Sequence, residues 1–418
     1  MTAGADRPHM PDSNEKLTRS HVVMIGLLAF VVMFEGFDIS TTSVVLPYLG
    51  EEFGATPAAL GRALGIIAIG AILAFLTIRL SDRFGRKPVL IFAAAGFSLG
   101  SLATVLSDSV ASYTAIQFVA RLLMVTQVAL AYIMVSETIP PRLRGRANGL
   151  LGACGSFGAA LPFLLLEPAL ATAWGWRLLF VVGAIPLLAT PLLIIWLSET
   201  PIWKAGKANW QHSSILAELR LLLRPELRSS TITMSLLWLI INFATSVSAL
   251  FFTQYAVTER GWVPADFTAL AVLGLAGTSS GFLLAGFAMD LIGRRWTITV
   301  FMVMLGALTQ FCYNAQSWWA IAGSFVGLQA MMGVWVAAYT INSELFPTAL
   351  RGAANGWCHN LLGRWGVVTA PWILGALVAP LGSIGAAATV LGFVAYLAVP
   401  LVWIGLPETR ARKLDQPD

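Results

Sequence analysis

Charge is what this chain lacks most. Only 11% of its 418 residues are Asp, Glu, Lys or Arg, against about 25% in an ordinary soluble domain. A soluble fold of this size could not cover itself with so little charge, because its surface would be one large apolar patch. Cysteine is also scarce. Cys154, Cys312 and Cys358 all sit in apolar stretches, and none is spaced like a metal knuckle or a disulfide framework. No Gly-x-x-x-x-Gly-Lys-Ser/Thr loop occurs, and no large soluble segment could house one, which argues against a nucleotide-driven pump. Of the four histidines only His359 falls at membrane depth, too few for a membrane-embedded enzyme. No metal and no organic cofactor are therefore expected. The first 20 residues are polar and lack a signal peptide's apolar core and cleavage site.

What is present is apolar sequence, 57% of the chain, with a mean hydropathy of +0.77. A helix crosses the hydrocarbon core in about 20 residues. Runs of that size recur near 21–50, 57–80, 88–107, 110–136, 147–171, 175–198, 229–256, 265–289, 296–315, 318–343, 353–378 and 381–406. The expected fold is an all-α membrane protein with twelve transmembrane helices. The net charge of +5 and pI of about 9.3 could suggest nucleic acid, but the positions of the charges say otherwise. With a cytoplasmic N-terminus, 21 of the 26 basic residues fall in the arm, the even-to-odd loops and the tail. That is the orientation signal of a multi-pass protein. It predicts a plasma (inner) membrane location with both termini cytoplasmic, a lipid bilayer as partner and no nucleic acid.

The chain repeats itself. Asp82-Arg83-Phe84-Gly85-Arg86-Lys87 follows span 2, and Asp290-Leu291-Ile292-Gly293-Arg294-Arg295 follows span 8 at an offset of 208. The segment from Glu137 to Gly149 after span 4 returns as Glu344 to Gly356 after span 10, with eight of thirteen positions identical. Ser198-Glu199-Thr200 and Pro407-Glu408-Thr409 close spans 6 and 12. Three motifs at nearly one offset predict a six-plus-six duplication: an N-terminal bundle over 1–199 with a cytoplasmic arm, a linker over 200–228, and a C-terminal bundle over 229–418 with a cytoplasmic tail.

These motifs resemble the major facilitator superfamily over essentially the whole chain. The resemblance implies two pseudo-symmetric six-helix bundles. Gly36-Phe37-Asp38, and Gly363-Arg364-Trp365-Gly366 with Pro371, resemble the aromatic-acid/proton symporter branch. The Glu-x-x-Pro-x-x-x-Arg-Gly loops and the Pro-Glu-Thr ending resemble sugar porters as well. One departure is Ile78, where the superfamily loop usually has Gly; the second copy keeps it as Gly286. The resemblance also implies a cytoplasmic gate in which Asp82, Arg83, Arg86, Glu137, Arg144, Asp290, Arg294, Glu344 and Arg351 latch the halves in the outward-open state. In its structural role, Asp82 is expected to accept hydrogen bonds from a helix N-terminus, where the macrodipole favours an anion.

Ionisable groups at membrane depth are costly and face a partner or a cavity. Span 1 carries Glu35 and Asp38, three apart and on one face. Span 4 carries Arg121 with Gln117 one turn before it, and span 11 carries Arg364 with Asn360 one turn before it and His359 beside it. The resemblance implies an Asp38–Arg121 proton-coupling pair, with Glu35 as the second candidate. Arg364 is read as the site of a substrate carboxylate, since a guanidinium holds one through two parallel hydrogen bonds. His359, Asn360, Tyr339, Trp335, Asn242 and Gln117 are expected to line the pocket. The predicted function is uptake of a small organic anion, such as an aromatic or hydroxylated carboxylate, driven by the proton gradient through a monomer. The alternatives are a sugar or polyol porter, then a proton-driven drug or metabolite efflux antiporter, and a transport-dead sensor.

Overall fold

The computed structural model describes residues 17–206, 215–347 and 350–409. Among them, twelve helices are long and apolar enough to cross a bilayer. Numbered in chain order they are α1 Arg19–Val44, α2 Pro57–Phe84, α3 Arg86–Thr104, α4 Val110–Thr138, α5 Arg146–Leu170 and α6 Arg177–Trp196. The second six are α7 Pro225–Arg260, α8 Pro264–Ile292, α9 Arg294–Asn314, α10 Trp318–Leu345, α11 Ala353–Leu381 and α12 Ile384–Gly405. With an even number of crossings, Arg19 and Thr409 lie on the same face. The expected spans recur with three differences. The run at 21–50 breaks at Val45, where a short helix Leu46–Glu52 begins with Pro47 in its first turn. Helices α2 and α8 continue through the Asp of their loop motifs and stop at Gly85 and Gly293. Helix α7 starts at Pro225, ahead of the expected 229.

Packing repeats between the halves. Helix α1 lies on α5 and α7 on α11; α2 lies on α4 and α8 on α10. The main contacts across the halves are again a symmetric pair, α2 with α11 and α5 with α8. In lipid no hydrophobic driving force sorts helix from helix, so close approach over small residues has to do it. Gly36 of α1 shows this. A Cβ there would collide with the backbone of Gly155 and Ala159 on α5. Gly286, by contrast, has nothing within 4 Å of its Cβ position. The Gly replaced by Ile78 in the first copy therefore marks no tight helix crossing in its surviving copy.

The loop motifs form two matching clamps on the termini face. Glu199 accepts the backbone N–H groups of Arg86 and Lys87, each at 3.1 Å, and so caps α3. Glu408 does the same for Arg294 at 2.9 Å and Arg295 at 3.1 Å at the start of α9. The Arg86 guanidinium grips Glu137 through Nε at 3.3 Å and Nη2 at 3.1 Å, and pairs with Asp82 at 2.9 Å. Arg294 grips Glu344 at 3.2 and 2.8 Å, with Asp290 further off at 3.7 Å. Thr200 and Thr409 donate to Glu137 and Glu344. Both Gly85 (φ 106°) and Gly293 (φ 87°) sit where an L side chain is disfavoured. A Cβ on Gly293 would come within 2.7 Å of Glu408 Oε2, and one on Gly85 would strike Glu199.

One expectation is corrected. The helix cap is Glu199, brought in from the end of α6, and not Asp82, whose carboxylate turns to Arg86. Arg83 is exposed and lies over the Phe84 ring at 5.3 Å, with no carboxylate partner among the described residues. The side chains of Arg144 and Arg351 lie outside the described residues. The pairs of Arg86 with Asp82 and Glu137, and of Arg294 with Asp290 and Glu344, each join groups of one half.

The opposite face is closed. Ser43 Oγ donates to the Ala249 and Leu250 carbonyls at 3.2 and 3.1 Å, and Trp372 Nε1 to the Arg62 carbonyl at 2.9 Å. Phe163 meets Phe267 with ring centroids 6.3 Å apart. Within the first half Glu52 accepts Trp176 Nε1 at 2.7 Å and Arg177 Nη1 at 2.8 Å. The hydrogen bond from Arg177, aided by the one from Trp176, holds the Glu52 carboxyl below the usual range.

Candidate functional site

Two carboxylates on one face of α1 start the site. Asp38 is 3% exposed. Its Oδ2 lies 3.2 Å from Arg121 Nη2 of α4. The same nitrogen donates to Thr42 Oγ1 at 3.1 Å, and Thr42 donates to the Asp38 carbonyl at 3.0 Å. The i, i+4 spacing of Asp38 and Thr42 sets both against one guanidinium, so the expected Asp38–Arg121 pair is formed. Glu35, one turn earlier, makes no hydrogen bond or ion pair among the described residues. It nevertheless lies within electrostatic reach of Arg364, Arg121 and Asp38.

Arg364 enters from α11 by an unusual backbone. Residues Gly356–Gly363 are wound as a π-helix, and Arg364 N donates to the His359 carbonyl at 3.0 Å, five residues back. Such widened turns recur at functional sites. The widened turn sits where α11 is pressed against α7. Gly363 packs so tightly on α7 that a Cβ would fall 2.5 Å from Trp238 Cβ, and one on Gly366 would strike the Leu239 carbonyl. The Arg364 side chain is half-buried and its Nε reaches Asn360 Oδ1 at 3.4 Å. No carboxylate of the described residues touches it.

Beside Arg364 stands an aromatic cage. The His359 ring lies 4.1 Å from that of Trp238 (α7), 5.4 Å from Trp335 and 5.3 Å from Tyr339 (both α10), centroid to centroid. Trp238 and Tyr339 are 4.7 Å apart. Tyr339 Oη and His359 Nδ1 are 3.1 Å apart. Trp238 Nε1 and His359 Nε2 are buried without partners, as is Asn242 Oδ1, whose amide nitrogen donates to the Trp238 carbonyl at 2.8 Å. Trp335 and Tyr339, four apart, share a face of α10, and Tyr339 also lies within electrostatic reach of Glu35 and Arg364.

The structure thus gathers Glu35, Asp38, Arg121, Arg364, Asn360, His359, Tyr339 and Trp335. Gln117 goes elsewhere. Its Nε2 donates to Thr104 Oγ1 at 2.8 Å, a bond between α4 and α3 inside the first half, because its face of α4 turns to the end of α3. Trp238 is the site residue not expected from sequence. Its one available signal was the one-turn spacing to Asn242. A separate cleft of about 300 Å³ lies on the opposite face, lined from both halves by Tyr48, Glu51, Gln254 and Thr258 among others. None of the four membrane-depth charges borders it.

The model of the family described as Major Facilitator Superfamily matches residues 28–284. The 3-(3-hydroxy-phenyl)propionate transporter of Escherichia coli (strain K12) is 27% identical over 369 residues, covering 86% of this chain and 87% of its own. The cis,cis-muconate transport protein of Acinetobacter baylyi is 27% identical over 421 residues, covering 94% of this chain and 97% of its own. Among solved structures, the xylose transporter XylE from E. coli in its inward open conformation aligns with a TM-score of 0.75 at 18% identity. It covers 94% of this chain and 98% of that one, and so shows a common fold.

Proposed function

The chain belongs to the Major Facilitator Superfamily and is a transporter of the integral membrane class, and on that premise we propose that it imports a small organic anion together with protons. One observation carries the reading: at membrane depth, one arginine is bound to a carboxylate while the other faces an aromatic cage with no carboxylate of the described residues in contact. A cation left without a close counter-charge in a low-dielectric site favours an anionic ligand. The cage suits a planar acid, and the names of the hydroxyphenylpropionate and muconate relatives agree with a carboxylate substrate.

In the proposed cycle the substrate carboxylate docks on Arg364, its flat body lies against Trp238, Trp335, Tyr339 and His359, and the Glu35–Asp38–Arg121 group handles the proton. The termini face is cytoplasmic, in keeping with its Lys and Arg. We read the closed opposite face as that of the state open to the cytoplasm. In the opposite state the clamp arginines, with Arg144 and Arg351, latch the halves. Each clamp meanwhile keeps its own half rigid, so that the halves rock as bodies. The unit is a monomer in the inner membrane, with the proton gradient as the only energy source and no cofactor.

The test is a thermal-shift screen of purified protein against aromatic and aliphatic carboxylates, sugars and amines, followed by binding to Arg364→Ala. Carboxylates should stabilise the protein. The variant should bind them at least about a hundredfold more weakly, since two charge-assisted hydrogen bonds of about 1.5–3 kcal/mol each are lost. Stabilisation by sugars alone, with affinity unaltered in the variant, would replace this reading with the sugar or polyol porter.

A further inference from the structure

The aromatic cage is closed on itself. Of its four rings, Tyr339, 39% exposed, and Trp335, half-buried, keep open surface, whereas Trp238 and His359 are 0% and 2% exposed. The His359 imidazole fills the middle. It lies 4.1 Å from the Trp238 ring, tilted 45° to it, and meets Trp335 and Tyr339 edge to face at 83° and 76°, 5.4 and 5.3 Å away. Offset and edge-to-face contacts of this kind are the ones a bound planar ring would make. The walls around it are fixed. Trp238 is backed by α11, where a Cβ on Gly363 would fall 2.5 Å from its own Cβ, and it packs on Trp335 and Tyr339 at 5.6 and 4.7 Å. The backbone that carries the imidazole is held as well, since the His359 carbonyl accepts Arg364 N at 3.0 Å.

The nitrogens of the imidazole are poorly used. Nδ1 is 3.1 Å from Tyr339 Oη, but Nε2 is buried without a partner. A bare polar atom at this depth is costly, so hydrogen bonding alone does not account for a histidine here; its bulk does. Resting on the carboxylate reading above, we infer that His359 is a specificity-determining residue, which sets the size of the planar acid the site accepts. A carboxylate on Arg364 brings its attached ring to the cage, because the widened turn bonds Arg364 to His359. A single ring lies on the open side of Tyr339 and Trp335. A second, fused ring needs the place that the imidazole holds. Truncating His359 opens a hollow walled by Trp238, Trp335 and Tyr339, and an apolar hollow left by truncation can take up a ligand ring in place of water.

The probe acid is the one-ring carboxylate that gives the largest thermal shift, set against its two-ring counterpart (benzoate with 2-naphthoate, phenylacetate with 2-naphthylacetate). Binding of both to the full-length protein in detergent is measured by calorimetry. The unaltered protein should bind the two-ring acid at least about tenfold more weakly. In His359→Ala the ratio of affinities should move toward the two-ring acid by about tenfold or more, the scale on which an apolar pocket discriminates small differences in ligand bulk. His359→Phe keeps the bulk and removes both nitrogens, so it should keep the parent's preference; it also covers the case in which the alanine variant does not fold. Equal weakening of both acids in His359→Ala, the mark of a purely structural role, would overturn the assignment. So would loss of the preference in His359→Phe, or two-ring acids bound as tightly as one-ring acids by the unaltered protein. Binding of non-aromatic carboxylates alone would overturn it and leave the anion site standing. Failure of any carboxylate to bind would overturn both.

Discussion

The Asp38–Arg121 pair is the most deeply set charge pair described, with side chains 3% and 12% exposed. Removing one member of such a pair strands the other, at a cost of about 3–5 kcal/mol, while removing both costs far less. Asp38→Asn should therefore lower the melting temperature in detergent by several degrees, and Asp38→Asn with Arg121→Gln should recover much of the loss. Equal destabilisation by the single and the double change would show that the pair is not coupled. Arg364→Lys should weaken carboxylate binding at least tenfold, because a point-like ammonium cannot reproduce the two-pronged grip of a guanidinium; equilibrium binding of the probe acid checks this. The four charges were legible in the sequence because ionisable residues are so rare at that depth. Trp238 was not, because in a chain with 15 Trp its one-turn spacing to Asn242 is too weak a signal to separate one cage ring from many at the lipid interface. Gln117 misled because its spacing to Arg121 fixed a helical turn but not the neighbour that turn faces.

At the scale of elements, the start of α3 depends on a carboxylate that is 113 residues away in the chain. Glu199→Gln keeps the shape and removes the charge from a helix N-terminus, where an anion contributes about 0.3–1 kcal/mol. A drop of a few degrees or less in melting temperature is expected, with a similar drop for Glu408→Gln at α9. Gly85→Ala should cost more, since it adds strain at a positive φ to a collision with Glu199. Glu52 gives a pH signature on the opposite face. Its folded carboxyl titrates below the usual Glu value of about 4.3, so its clasp contributes in full above that value and is lost as pH falls through the depressed one. Melting temperatures measured down to about pH 3 should fall less steeply for Glu52→Gln than for the parent; parallel curves would remove Glu52 from the acid limb. Helix existence was readable from apolar run lengths. The π-wound turn before Arg364 was not: it sits where α11 meets α7 over Gly363 and Gly366, a contact no local pattern announces. The cap was misassigned to Asp82 for a related reason: the nearest acid in sequence is not the nearest in space.

For the whole molecule, closure of the opposite face rests on contacts that only one state of a rocking transporter makes. A disulfide between Ser43→Cys and Leu250→Cys should stop transport in proteoliposomes, and reduction should restore it. Undiminished transport through the cross-linked protein would mean that this face need not part. The duplication was legible in the sequence, since three motifs recur at nearly one offset. It could not show that α2 meets α11 and α5 meets α8, because lipid-facing and partner-facing apolar residues read alike. The clamps have one more consequence. The bonds given above close each clamp inside its own half, the first through Glu137, Glu199 and Thr200, the second through Glu344, Glu408 and Thr409. A chain severed between Gly206 and Ile215 would leave both clamps whole. Its two pieces, made as separate polypeptides in one membrane, should find each other through the α2–α11 and α5–α8 seams and reconstitute a working carrier.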